Sequence, residues 1–171
     1  MKIGVKELRN GTMIYLNQQV MQVLEFQCMN EIYHLKVMNF STHKKEEFDI
    51  QSKEMVEKIV PNVFKAELNC IEGNAYHFFD LDTYDLIEVD KSVISDTKWM
   101  IGSPTCTLYS YNGNIYNVET DRYIEAKVIK IESGFPKYAV LENGVKVQLT
   151  FGVCVGDIIK IDTFAEMQVD L

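Results

Sequence analysis

A chain of 171 residues, 47% hydrophobic and 25% charged, has ordinary globular composition and enough apolar material for a core. Its net charge of −8 and pI near 4.9 oppose non-specific binding to nucleic acid, which draws its free energy from Lys and Arg at phosphates, but leave room for a local basic patch fitted to one structured RNA surface. No apolar run approaches the roughly 18 residues of a membrane span. Residues 1–9 contain no signal-peptide core, so a cytoplasmic protein without membrane association is expected.

Taken in chain order, the dominant pattern is short runs rich in β-branched and aromatic residues. The first covers residues 20–26 and the second 32–40, where Tyr33, Leu35 and Val37 fall on one face and His34 and Lys36 on the other. That period of two marks a half-buried strand. The mixed-sign run His43-Lys44-Lys45-Glu46-Glu47 reads as a solvated loop. Residues 51–60 (QSKEMVEKIV) are the best helical candidate, a turn or two at most, with a strand running into the next domain as the alternative. Further strands are expected at 75–79, 105–111, 124–131, 145–151 and 158–162. Glu72-Gly73-Asn74, Asn112-Gly113 and Asn143-Gly144 supply residues that tolerate positive φ in hairpin turns.

Many short strands at regular spacing favour small barrels or sandwiches, so the fold class is all-β. Pro61-Asn62 and Glu119-Thr120-Asp121-Arg122 suggest boundaries, giving units 1–61, 62–121 and 122–171. Each lies near the lower size limit for an independent core.

Catalytic signatures are missing. No GxGxxG, GK[ST], GxSxG or HExxH occurs, so no enzyme activity, cofactor or small-molecule substrate is expected. Cys28, Cys70, Cys106 and Cys154 form no CxxC pair and read as reduced, buried thiols. His34, His43 and His77 belong to no recognisable ligand pair, so no metal site is expected. Asp80, Asp82 and Asp85 lack the glycine and distal glutamate of a calcium loop, and read as a turn. Trp99, beside Met100 and Ile101, reads as packing between domains rather than as a base-stacking platform.

Order and spacing go further. The opening Leu8-Arg9-Asn10-Gly11-Thr12-Met13-Ile14, the strands at 20–27 and 32–40, Tyr76-His77-Phe78-Phe79-Asp80, and Leu108-Tyr109-Ser110-Tyr111-Asn112-Gly113 resemble bacterial elongation factor P. The most specific match is C-terminal: Lys137-Tyr138-Ala139, Gly144, Val147, Val153 and Gly156 fall at the family's signature spacing, and residues 156–163 (GDIIKIDT) resemble its closing motif. The resemblance is collinear over almost the whole chain. It implies an N-terminal SH3-like (KOW-type) barrel and two OB-fold barrels in an L-shape. It also implies a non-enzymatic factor that meets the ribosome and peptidyl-tRNA between the peptidyl and exit sites and assists peptide bonds at proline runs.

The departures concern the loop that, in the family, carries a lysine toward the peptidyl-transferase centre. Here only Cys28-Met29-Asn30-Glu31 separates Gln27 from Ile32, and these four are the expected ribosome-facing residues. Loss of about five residues shortens the tip by roughly 8 Å, because two chain directions share the length. No lysine stands in the loop, and no modified lysine is expected. The stretch around Gly134-Phe135-Pro136 is also trimmed, Leu149-Thr150 replaces the usual Val-Pro, and the ending at 164–171 (FAEMQVDL) lacks basic residues. An alternative is therefore a protein-interaction or regulatory module on the same scaffold. The sequence fixes no oligomeric state.

Overall fold

The computed structural model describes residues 1–170, so Leu171 at the end of the acidic tail lies outside the described residues. Two compact units are present, one of Met1–Val63 with Tyr109–Asn117, the other of Phe64–Leu108 with the chain from Val118 onward. Strands dominate both, as the all-β expectation requires. Among the described residues no helix is long and apolar enough to cross a membrane.

The first sheet contains β1 (Lys2–Gly4), β2 (Met13–Leu16), β3 (Gln19–Met29), β4 (Ile32–Asn39), β5 (Lys44–Gln51) and β6 (Met55–Lys58), in the order β1-β6-β2-β3-β4-β5. Alternation along β3 and β4 buries Val23, Leu35 and Val37 against Ile3, Val5, Leu8 and Ile14. His34 and Lys36 face the other way, as the period of two requires.

Two expectations fail in this sheet. Residues 43–47 are not a loop, because Lys44–Gln51 is a strand paired along its whole length with β4, from Asn39↔Lys44 to Ile32↔Gln51. Its alternation turns Ile50 and half-buried Phe48 inward while Lys45, Glu47 and Asp49 face out. Charge on an edge strand discourages pairing with another chain, so charge alone did not mark a loop. Residues 51–60 form no helix; a turn leads into β6, held between β1 (Ile3↔Val56) and β2 (Tyr15↔Glu57). Val56 and Ile59, three apart, fit a helical face, and the two waiting neighbours decide for the strand given as the alternative.

The next strands are β7 (Asn62–Glu72), β8 (Ala75–Asp80), β9 (Leu86–Asp90), β10 (Thr105–Tyr111) and β11 (Asn114–Thr120), in the order β11-β10-β7-β8-β9. A parallel bridge, Ile94↔Val118, returns the segment after β9 to β11. The last five, β12 (Tyr123–Glu132), β13 (Tyr138–Leu141), β14 (Lys146–Gln148), β15 (Ile158–Asp162) and β16 (Met167–Val169), close as β12-β13-β14-β16-β15. The strand expected over 145–151 is thus only three residues long. In both sets the first strand pairs with the second and fourth; β14 meets β16 in parallel at Gln148↔Met167, and in the earlier set the segment after β9 meets β11 at the isolated Ile94↔Val118 bridge. This five-stranded ring is the OB-fold arrangement.

Leu68, Phe78, Leu108 and Val118 are buried in the earlier ring. Ile124, Val128, Leu141, Val147 and Ile161 fill the later one, and Trp99 and Ile101 join that cluster. Trp99 is buried, so it offers no face for stacking on a base. Gly102 has φ +66°, and a Cβ there would stand 3.2 Å from the Glu125 carbonyl oxygen. Only glycine suits that bend. The Asp80 carboxylate accepts from the Asp82 and Thr83 amides at 2.8 and 3.0 Å, the turn role expected of it.

Candidate functional site

The expected tip residues sit where β3 turns into β4. Cys28 and Met29 still belong to β3, opposite Tyr33 and Ile32, so only Asn30 and Glu31 form the turn. Both have positive φ, +50° and +64°, the conformation of a two-residue turn matched to the twist of a hairpin. Asn tolerates that region because its short side chain hydrogen-bonds locally; Glu gains nothing equivalent. The Ser52 amide donates to the Glu31 carbonyl at 2.8 Å and ties the turn to the chain beyond β5. Met29 is 59% exposed and Ile32 is also exposed, so the end of the hairpin is apolar with one carboxylate. Partial burial, with a hydrogen bond to Cys28 second, holds the Tyr33 hydroxyl pKa above its ordinary value.

Along the hairpin itself the nearest lysine to the tip is Lys36, inside β4; beyond β5, Lys53 follows Ser52, whose amide holds the Glu31 carbonyl. Lys36 stands between its cross-strand partners Glu25 and Glu47, with Nζ 3.6 and 3.8 Å from their carboxylates. Lys44 and Lys45 open β5 opposite Asn39 and Met38, at the far end of β4 from the tip. Seven strand steps separate Ile32 from Asn39, about 23 Å. No lysine of β3, β4 or β5 is therefore placed at the turn.

Beside this hairpin runs a shallow groove of about 460 Å³, lined on the outer face by Glu25, Gln27, His34, Lys36, Glu47 and Asp49 among others. His34 Nδ1 pairs with Asp49 Oδ1 across β4 and β5. Sequence reading missed this groove because it took residues 43–47 for a loop. With β5 recognised, alternation alone would have put Glu47 and Asp49 beside Lys36 and His34.

The cysteines correct a second expectation. Only Cys106 is buried; Cys28, Cys70 and Cys154 are exposed, and all four are free thiols. Burial pushes the Cys106 thiol up to about 12, leaving it protonated and inert. Cys70 stands opposite His77 in the β7–β8 hairpin, and Glu72 lies two residues along β7. The three side chains meet on one face, with their donor atoms within 4.8 Å of one another. Sequence separation hid that meeting, because only the hairpin register brings position 77 back to position 70.

Similarity to known proteins follows the same outline. The profile of the elongation factor P (EF-P) OB domain matches residues 71–118. Elongation factor P of Caldicellulosiruptor saccharolyticus is 29% identical over 176 residues, covering 94% of both chains. The Helicobacter acinonychis protein of the same name is 26% identical, covering 97% of this chain and 96% of its own. Among solved structures, eukaryotic translation initiation factor 5A from Methanococcus jannaschii aligns over 72% of this chain and 94% of its own, with a TM-score of 0.57 at 14% identity. A factor 5A family protein from Naegleria fowleri gives a TM-score of 0.51 at 10% identity. At those identities the likeness concerns the fold.

Proposed function

We propose that the chain belongs to the elongation factor P family and is a translation factor that binds the ribosome and peptidyl-tRNA near the peptidyl and exit sites. The observation that carries this reading is collinear similarity to proteins named elongation factor P over 94% of the chain. The repeated OB-type strand order over β7–β11 and β12–β16 supports it, since OB-folds bind oligonucleotides through one strand face and its loops. The reading treats 1–61, 62–121 and 122–171 as an SH3-like domain and two OB domains in the cytoplasm. It assigns no bond-making chemistry to the protein. The factor acts by holding tRNA and its peptide in place, an entropic contribution to peptide-bond formation.

The tip sets how it does so. With two turn residues and a carboxylate, the β3–β4 hairpin brings Met29, Asn30 and Glu31 toward the ribosome but no cation of its own. An acidic tip adds no attraction for phosphate, so affinity rests on the remaining surfaces.

A second reading, a protein-interaction or regulatory module, is favoured by that same tip: exposed Met29 and Ile32 beside Glu31 suit a protein surface better than a phosphate backbone. Co-sedimentation with vacant and peptidyl-tRNA-loaded ribosomes across a salt series separates the two. Saturable binding that depends on the loaded state is the expected result. No binding even at low salt would remove the translation reading and leave the second.

A further inference from the structure

We propose that Cys70, Glu72 and His77 form a binding site for a zinc-class divalent cation on the outer face of the β7–β8 hairpin. The argument starts from register. Cys70 and Glu72 are two apart on β7 and so share a face; His77 is the cross-strand partner of Cys70 and shares it too. A register shift between Leu68 and Cys70 marks a bulge, the kind of irregularity that re-aims a side chain. As a result a thiol, a carboxylate and an imidazole converge, with one donor atom from each lying within 4.8 Å of the other two.

The imidazole is the telling member. His77 has only 14% of its side chain exposed, and its Nε2 is buried without a hydrogen-bond partner. The nearest carboxylate oxygen, Glu72 Oε2, is 3.7 Å away. A buried nitrogen left unsatisfied costs about 1–3 kcal/mol, so such groups are few and usually have a reason. A cation held by the Nε2 lone pair supplies one.

The donor set selects the ion. Thiolate, imidazole and carboxylate together suit zinc, whereas calcium and magnesium take oxygen. Bond lengths of about 2.0–2.3 Å place tetrahedral ligand atoms roughly 3.5 Å apart, so the three donors must close by about 1 Å. Cys70 and Glu72 are exposed, and the Cys70 sulfur accepts only a long 3.7 Å hydrogen bond from Asn69 Nδ2, so both can rotate inward. Three protein ligands leave the fourth position for water, or for Glu88, which faces His77 from β9. Binding expels the Cys70 thiol proton to solvent, with no change of oxidation state, and cross-links β7 to β8. Affinity therefore falls as pH falls. None of these residues lies at the β3–β4 tip, so the inference does not depend on ribosome binding.

The test is titration of the full chain with Co²⁺ under reducing conditions, followed by displacement with Zn²⁺. A near-ultraviolet thiolate-to-cobalt band saturating at one ion per chain, and abolished by Zn²⁺, is expected. Cys70→Ser removes the band, His77→Gln weakens cobalt binding more than about tenfold, and Cys28→Ser and Cys154→Ser leave both unchanged. Zn²⁺ also slows alkylation of Cys70, a readout that needs no variant to fold. Absence of the band in the unaltered chain, or its persistence in Cys70→Ser, would overturn the site, as would Cys70 alkylation indifferent to Zn²⁺.

Discussion

Glu31 occupies a backbone conformation that its side chain does nothing to earn. Left-handed φ costs an L-residue about 1–2 kcal/mol, while glycine accepts it freely at some entropic cost. Replacing Glu31 with glycine is therefore expected to stabilise the protein by about 1 kcal/mol, seen as a higher urea midpoint with an unchanged slope. A lowered midpoint would mean that the carboxylate makes a contact outweighing the strain. The residue identities at positions 28–31 were legible in the sequence as a short, lysine-free connection. Their division into two strand residues and a two-residue turn was not, because nothing local says where the ladder stops.

At the scale of elements, the last barrel is pinned where β15 ends beside the start of β12. Tyr123 pairs with Asp162, and the Thr163 amide donates to the Arg122 carbonyl at 2.8 Å. The Asp162 carboxylate accepts from Arg122 Nη2 at 2.8 Å and Nε at 3.1 Å, and from the Phe164 amide at 2.9 Å. Hydrogen bonding to Arg122 first, and to the Ala165 and Phe164 amides after it, holds its pKa below the ordinary carboxylate value. A carboxyl with a depressed folded-state pKa stabilises the fold above its unfolded pKa of about 3.9, and that contribution disappears as pH falls through the folded value. Asp162→Asn is thus expected to lower stability at neutral pH and to remove part of the acid-induced loss below about pH 4, measured as urea midpoint against pH. Parallel wild-type and variant curves would show that Asp162 carries no proton-linked stability.

Elements were unevenly legible. The strand Thr105–Tyr111 is read with its observed bounds, because strict alternation and a flanking Asn112-Gly113 turn leave one solution. β5 was misread, and for β6 the helical reading was preferred over the strand alternative that forms, because their character is set by neighbours. Lys44 and Lys45 look like loop residues until β4 provides a partner, and Met55 to Lys58 has no strand character apart from the gap between β1 and β2.

For the whole molecule, the functional question is whether a scaffold similar to elongation factor P works without a lysine in its β3–β4 hairpin turn. The nearest lysine along the hairpin, Lys36, is fixed between Glu25 and Glu47, and Lys44 and Lys45 lie at the opposite end of β4. The protein is expected to give weak or no rescue in a reporter whose translation stalls at a proline run, even where it binds ribosomes. Full rescue would show that positioning by the other surfaces suffices and that the tip is dispensable. The sequence by itself determined the all-β class and the likeness to elongation factor P, since alternation, turn residues and collinear motifs are written locally along the chain. Only the tertiary structure decided which charged run became an edge strand, how tight the tip is, and that Cys70 meets His77. Those depend on register, and register is a property of two strands together that neither strand's sequence carries alone.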